Sequence, residues 1–160
     1  MEYKYPVQKP LAIIRMTSDW IAEASMLLAL HIEGDHYSED LFEKCNQALE
    51  RLIGFDSAEL YLVKNADACI GFVLINWGFS TTTGWPILRI QDLFILQSSR
   101  REGAGTLLLE HCIHLVKLQG ANRIQLDTNV MNTAARSFYE QAGFECFPEK
   151  LIYMKFIHET

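Results

Sequence analysis

Chemistry is concentrated in the run QSSRREGAGTLLLEHC, Gln97 to Cys112, where two arginines and two glycines lead into an apolar stretch. A strand feeding a glycine-rich turn that opens a helix is suited to holding an anion. The first N–H groups of a helix have no intrahelical partner, and the helix dipole places partial positive charge beside them. Gly103 and Gly105 carry no Cβ, so a ligand can approach the backbone closely there. Arg100 and Arg101 add planar donor forks that match phosphate oxygens. Taken alone, the run fits either a phosphate cradle or a solvated charged turn before a core helix.

A second group of polar side chains lies upstream. Gln91 and Asp92 sit in an otherwise apolar β-type run. Plain alternation puts Gln91, Leu93 and Ile95 on one side of that strand, with Asp92 and Phe94 on the other. Gln91 cannot act as a base. Asp92 is either a structural partner for backbone or a neighbouring element, or a substrate contact. Glu33 and Asp35 fall in the polar segment HIEGDHYSED, bordered by His31 and His36. Each is a solvated loop charge or a contact to a ligand, and one histidine is a candidate base. His111 and His114 lie one turn apart around Cys112, but no further ligand pattern joins them, so no metal centre is expected. Trp77, Phe79 and Trp85 either wall a pocket or pack the sheet.

The elements that must position these groups follow from periodicity and punctuation. Residues 1–10 read as a loose arm, with Pro6 and Pro10 limiting regular structure. Leu11–Met16 is a short β-run. Thr17 or Ser18 is placed to cap a helix whose apolar residues run from Trp20 to Leu30. After the polar segment, Ser38 offers a cap to a second helix carrying Leu41, Phe42, Cys45, Leu49 and Ile53. AELYLVKNADACIGFVLINWGF gives two β-runs around an Asn65-Ala66-Asp67 turn, and Ser80–Pro86 is another turn cluster. A third β-run, Leu88–Leu96, meets the glycine-rich turn. The helix after Gly103 is stopped by Gly120. RIQLDT is a short strand, NTAARSFYEQAG a helix closed by Gly143, and Leu151–Phe156 a last strand. The order β-α-α-β-β-β-α-β-α-β indicates an α/β (α+β) protein with helices on both faces of a mixed sheet.

Bulk properties narrow the function classes. The 160 residues suit a single domain over 1–160, and 49% hydrophobic with 21% charged residues is ordinary globular composition. A formal charge of -6 argues against a sequence-independent nucleic-acid binder, which needs a basic footprint, and mildly favours cationic substrates. The four cysteines form no C-x-x-C pair, so reduced, mostly buried thiols in a cytoplasmic protein are expected. The first ten residues have no apolar signal-type core, and no apolar run approaches a membrane span.

Two motifs together resemble the GNAT superfamily of N-acetyltransferases. The first is Arg100-x-x-Gly103-x-Gly105 after a β-run. The second is NTAARSFYEQAGF, which matches that family's N-x-x-A-x-x-F-Y-x-x-x-G-F signature at Asn132, Ala135, Phe138, Tyr139, Gly143 and Phe144. The stretch FSTTTGWPILRIQDLFI is similar to the same strand in polyamine and thialysine (diamine) N-acetyltransferases, except that Gln91 stands where those enzymes carry a Glu.

The resemblance implies a mixed, mostly antiparallel sheet of six to seven strands and acetyl-CoA as co-substrate. It implies pyrophosphate on the turn formed by Arg100, Arg101, Glu102, Gly103, Ala104, Gly105 and Thr106. The pantetheine arm would lie along Leu93, Phe94 and Ile95 as an added strand does. Asn132 and Ala135 would border the thiol end, and Tyr139 would protonate the departing thiolate. Glu33, Asp35, Gln91, Asp92 and Asp127 are the implied acceptor contacts. The expected reaction is acetyl transfer to a primary amine of a small polyamine-like or amino-acid-like molecule, in a homodimer that binds neither nucleic acid nor membrane. The alternatives are a peptide or protein N-acetyltransferase and a non-catalytic acyl-CoA-binding module.

Overall fold

The computed structural model describes residues 10–66 and 68–157. The expected arm, Pro10 apart, and Asp67 of the hairpin turn therefore lie outside the described residues. In chain order the elements are β1 (Leu11–Arg15), α1 (Ile21–Glu33), α2 (Glu39–Ile53), β2 (Ala58–Asn65), β3 (Ala68–Ser80), β4 (Trp85–Ile95), α3 (Ala104–Gln119), β5 (Ile124–Gln125) and α4 (Thr133–Gln141). Short 3-10 turns cover Ser18–Trp20, Gly34–His36 and Gln97–Ser99. The described residues group into two compact units, one reaching to Leu126 and the other starting at Asp127.

In the first unit the sheet runs β1-β2-β3-β4-β5, antiparallel throughout except for the parallel β4–β5 pair. Register assigns its two faces. Leu60 and Leu62 of β2 pair with Leu74 and Phe72 of β3, and this side packs with Ala24 and Leu27 of α1 and Leu49 of α2. Leu27, Leu62 and Phe72 are fully buried there, each contributing about 1.5–3 kcal/mol relative to exposure. The other side carries Tyr61, Val63, Val73 and Ile75, and α3 covers it with the Tyr61 and His111 rings 4.4 Å apart. One layer of helices on each face is thus what two apolar sheet faces require.

Local signals account for most boundaries. The Ser38 hydroxyl accepts the Leu41 N–H at 3.1 Å and starts α2 as expected. Gly120, at φ 66, ends α3. Three expectations need correction. Neither Thr17 nor Ser18 caps α1: the chain enters through the Ser18–Trp20 turn, and Trp20 occupies the cap position with no side-chain bond. The segment from His31 is not a loop at its start, because α1 continues to Glu33 and ends where Gly34 takes φ 77.

The third correction concerns the sheet. It has five strands among the described residues, not six to seven, and Leu151–Phe156 forms no strand. An apolar run has strand propensity, but a strand also needs a partner for its N–H and C=O groups, and propensity alone does not supply one.

Candidate active site

The sheet forks between β4 and β5. These strands pair only at Leu88–Ile124 and Arg89–Gln125, with the Leu88 N–H donating to Arg123 O at 3.1 Å. Beyond Arg89, β4 keeps β3 as partner as far as Ile95, but no strand among the described residues pairs with its other edge. The Leu96 N–H donates to Ile70 O of β3 at 2.8 Å. Strand alternation therefore turns the N–H and C=O groups of Leu93 and Ile95 to the open edge, and those of Phe94 to β3. Gly71 allows this close packing: a Cβ there would stand 2.5 Å from Phe94 O.

At the wide end of the fork, β4 runs into the glycine-rich turn. Arg100 Nε donates to Ile95 O at 3.0 Å, and its guanidinium carbon stands 5.9 Å from the centre of the Phe94 ring. This arginine anchors the turn to the strand. Arg101 takes φ 63 and Gly103 φ 89, which swings the backbone into α3. The Leu107 N–H is the first to bond inside the helix, to Gly103 O at 3.0 Å. The N–H groups of Ala104, Gly105 and Thr106 precede it and have no intrahelical acceptor. Ala104 is buried and seats the helix on the sheet, whereas Arg101 and Glu102 are exposed. Glu102 and Thr106 also border a hollow with Asn65 and Glu110, whose two carboxylates repel an anion. The donors that the turn offers are the helix N–H groups and the arginines.

At the narrow end, Gln91 is a bulge. Leu74 pairs with Asp92 and Ile75 with Ile90, leaving Gln91 unmatched. The extra residue reverses the alternation. Leu88 and Ile90 share the α3 side with Ile75, while Asp92 and Phe94 share the α1 side with Leu74 and Phe72. Gln91 Oε1 accepts from Arg89 Nε at 3.4 Å, so Gln91 is not simply in line with Leu93 and Ile95. Asp92 Oδ1 lies 3.3 Å from His31 Nε2, with the side chains 31% and 33% exposed. The His31 ring packs against Phe72 and Phe94, with centroids 5.9 and 5.3 Å away. Glu33 ends α1 and Asp35 lies in the turn that follows, both exposed.

Asp127, Asn132, Ala135 and Tyr139 belong to the second unit. Asn132 Oδ1 accepts the Ala135 N–H at 3.1 Å and caps α4, so this part of the motif builds the helix end itself. The Tyr139 ring stands 5.3 Å from Phe138 and 5.5 Å from Phe144. Gly143, at φ 90, turns the chain between Ala142 and Phe144.

Other reactive side chains are held in inert forms. Burial pushes the Cys112 thiol up to about 12 and raises Cys45 and Cys69 as well. Burial, then the neighbouring Glu59, pushes the Tyr61 hydroxyl up to about 12. Burial also lowers the His111 imidazole, and its Nε2 is buried without a hydrogen-bond partner among the described residues. No helix among the described residues is long and apolar enough to cross a membrane.

A forked α+β sheet with a glycine-rich turn on a helix N-terminus is a fold shared with solved acyl-transfer proteins. It is similar to an aminoglycoside N-acetyltransferase solved in complex with CoA, with TM-score 0.78 and 18% identity over 94% of this chain and 98% of that one. Residues 23–144 match the acetyltransferase (GNAT) family, and the chain belongs to that family. Among curated relatives it is similar to the uncharacterized N-acetyltransferase YhfO of Bacillus subtilis, 35% identical over 95 residues, 59% of this chain and 63% of that one. It is also similar to N-alpha-acetyltransferase 30 of Schizosaccharomyces pombe, 42% identical over 55 residues, 34% of this chain and 37% of that one. The chain thus spans less than two thirds of the length of either relative.

Proposed function

We propose that this protein is an acetyl-CoA-dependent N-acetyltransferase whose acceptor is a primary amine on a small molecule. The observation that carries this reading is the fork: an open edge of β4 that leads directly to the N-terminus of α3. A ligand with an extended amide-bearing arm and a phosphate head has complementary groups at both ends. Its arm pairs with the N–H and C=O groups of Leu93 and the N–H of Ile95, alongside Phe94, as an added strand. Its pyrophosphate lies on the N–H groups from Arg101 to Thr106, where helix polarity favours negative charge.

An alkylamine with a lysine-like pKa of about 10.4 is almost wholly protonated at neutral pH, so it must lose a proton before attacking a thioester. A backbone N–H on the open edge of β4 stabilises the oxyanion that forms on attack. Asn132 and Ala135 border the thiol, and Tyr139 returns a proton to it. These last roles are carried by the family's motif at those positions. A polyamine-like or amino-acid-like acceptor is supported by the net charge of -6 and by the carboxylates Glu33, Asp35 and Asp127. Gln91, at the bulge, contacts the acceptor without taking its proton.

A second reading, acetylation of a peptide amine, is favoured by the likeness to N-alpha-acetyltransferase 30. Calorimetric titration with acetyl-CoA, followed by thiol-release assays on diamines, amino-acid amides and short peptides, separates the readings. Turnover of small amines supports the first and turnover of peptides alone supports the second. Tight binding with no turnover marks a non-catalytic acyl-CoA-binding module, and absence of binding overturns all three.

A further inference from the structure

We propose that His31 and Asp92 form the proton-accepting pair that prepares the acceptor amine, with His31 taking the proton and Asp92 holding the ring. The proposal rests on the N-acetyltransferase reading above and supplies the base which that reading lacks. Its ground is the Nε2–Oδ1 approach of 3.3 Å between residues 61 positions apart, on α1 and β4.

Position makes the pair relevant to the reaction. With the phosphate head at Arg101–Thr106, a chain laid on the open edge of β4 runs back past Ile95 and Leu93. Its acyl end then reaches the closed end of the fork, where β4 and β5 meet at Arg89 and the bulge falls at Gln91. Asp92 is the next residue. The bulge directs its carboxylate to the α1 side, where His31 meets it. Gln91 has no proton-accepting capacity there.

The surroundings hold the imidazole in one orientation. Phe72 from β3 and Phe94 from β4 fix the ring from two directions. Both members of the pair are about one-third exposed, so a substrate can reach them. Asp92 from β4 faces the ring, and Glu33, Asp35 and His36 follow His31 in the chain, at the end of α1 and in the turn after it. Arg100 lies over the Phe94 ring. Carboxylates outnumber cations in this stretch, an arrangement that draws an ammonium.

With a carboxylate facing Nε2, the neutral ring carries its proton on Nε2 and its lone pair on Nδ1. One N–H bond of the ammonium breaks, its electron pair stays on nitrogen, and the proton bonds to Nδ1. The imidazolium that forms is neutralised by Asp92, as in other His–Asp pairs. The freed amine attacks the thioester carbon, and the intermediate collapses with cleavage of the C–S bond. The departing thiolate takes a proton from Tyr139, the surplus proton on the new amide nitrogen restores Tyr139, and His31 releases its own proton to water. His31 is the catalytic residue of the pair and Asp92 a positioning residue.

The test compares wild type, His31→Gln and Asp92→Asn with acetyl-CoA and two acceptors. One is 1,4-diaminobutane, which is cationic at neutral pH; the other is hydroxylamine, which is largely uncharged in mildly alkaline buffer. For the diamine, His31→Gln is expected to lower kcat about 100-fold and to remove the limb of the pH–rate profile that an imidazole produces. Asp92→Asn displaces that limb. Acetyl-CoA affinity stays near wild type, which shows that the variants fold, and hydroxylamine turnover falls far less than diamine turnover. Equal losses on both acceptors, or an unchanged pH profile in His31→Gln, would overturn the proposal. A variant that no longer binds acetyl-CoA is replaced by His31→Asn, judged by the same two acceptors. Wild type that turns over neither acceptor, nor any amine of the panel above, fails at the parent reading instead, a result distinct from every variant outcome.

Discussion

Asp92 and Gln91 are adjacent in the chain, yet the structure sends them to different partners: His31 for one and Arg89 for the other. The single unmatched residue at Gln91 is the cause, since it changes which face every later β4 side chain occupies. Asp92 was legible as a carboxylate with a neighbouring-element partner. Its partner was not, because the two residues are 61 positions apart and only packing of α1 on the sheet joins them. Tyr139 presents the reverse case, a residue whose role comes from its place in a motif. If Tyr139 protonates the leaving thiolate, Tyr139→Phe lowers kcat about 100-fold while acetyl-CoA affinity measured by calorimetry is retained. Unchanged kcat and an unchanged pH–rate profile would remove Tyr139 from that role.

At the scale of elements, the turn between β4 and α3 does two jobs. Arg100 ties it to the strand through Ile95 O, and Gly103 sets the angle at which α3 leaves. Gly103 is required by conformation rather than by space, since a Cβ there would meet nothing within 4 Å but would sit on a backbone at φ +89. Gly103→Ala therefore costs about 1–2 kcal/mol of left-handed backbone strain. Any relaxation displaces the helix N–H groups to which the proposed function assigns the phosphate. The expected result is a lower Tm together with an acetyl-CoA Kd raised roughly tenfold, about 1.4 kcal/mol. A lower Tm with unchanged Kd would show that the turn is structural only. The run Gln97–Cys112 by itself left the phosphate cradle and the charged turn equally open. The fork that favours the cradle is a property of two strands that separate, which no single segment records.

For the whole molecule, the two sheet faces are covered by chemically different layers. The α1 and α2 side buries Leu27, Leu49, Leu62 and Phe72 and carries the His31–Asp92 pair. The α3 side holds Glu59, Tyr61 and His111, with Glu59 bonded to Arg15 at 3.0 Å and to the Trp77 indole at 3.2 Å. Burial lowers His111 below its ordinary 6.5, so the fold prefers the neutral ring. A depressed histidine contributes stability above 6.5 that is lost as pH falls through its folded value. Wild type should therefore lose denaturation free energy on going from neutral pH to about pH 5. His111→Phe, which keeps the ring stack on Tyr61 and removes the unpartnered Nε2, should flatten that loss. Parallel slopes for the two proteins in urea titrations would show that His111 does not drive it.

The sequence alone determined the helices and strands, their order as far as α4, the glycine-rich turn and the two family motifs. Those features are written in local terms: apolar periodicity, caps such as Ser38, and glycines at positive φ. Tertiary structure alone decided that β4 and β5 part after two residue pairs, that Gln91 bulges, and that His31 stands against Asp92. It also decided that Leu151–Phe156 forms no strand. Each of these depends on which distant residues share a ladder or a packed face, and free energy of that kind belongs to pairs of segments rather than to either one.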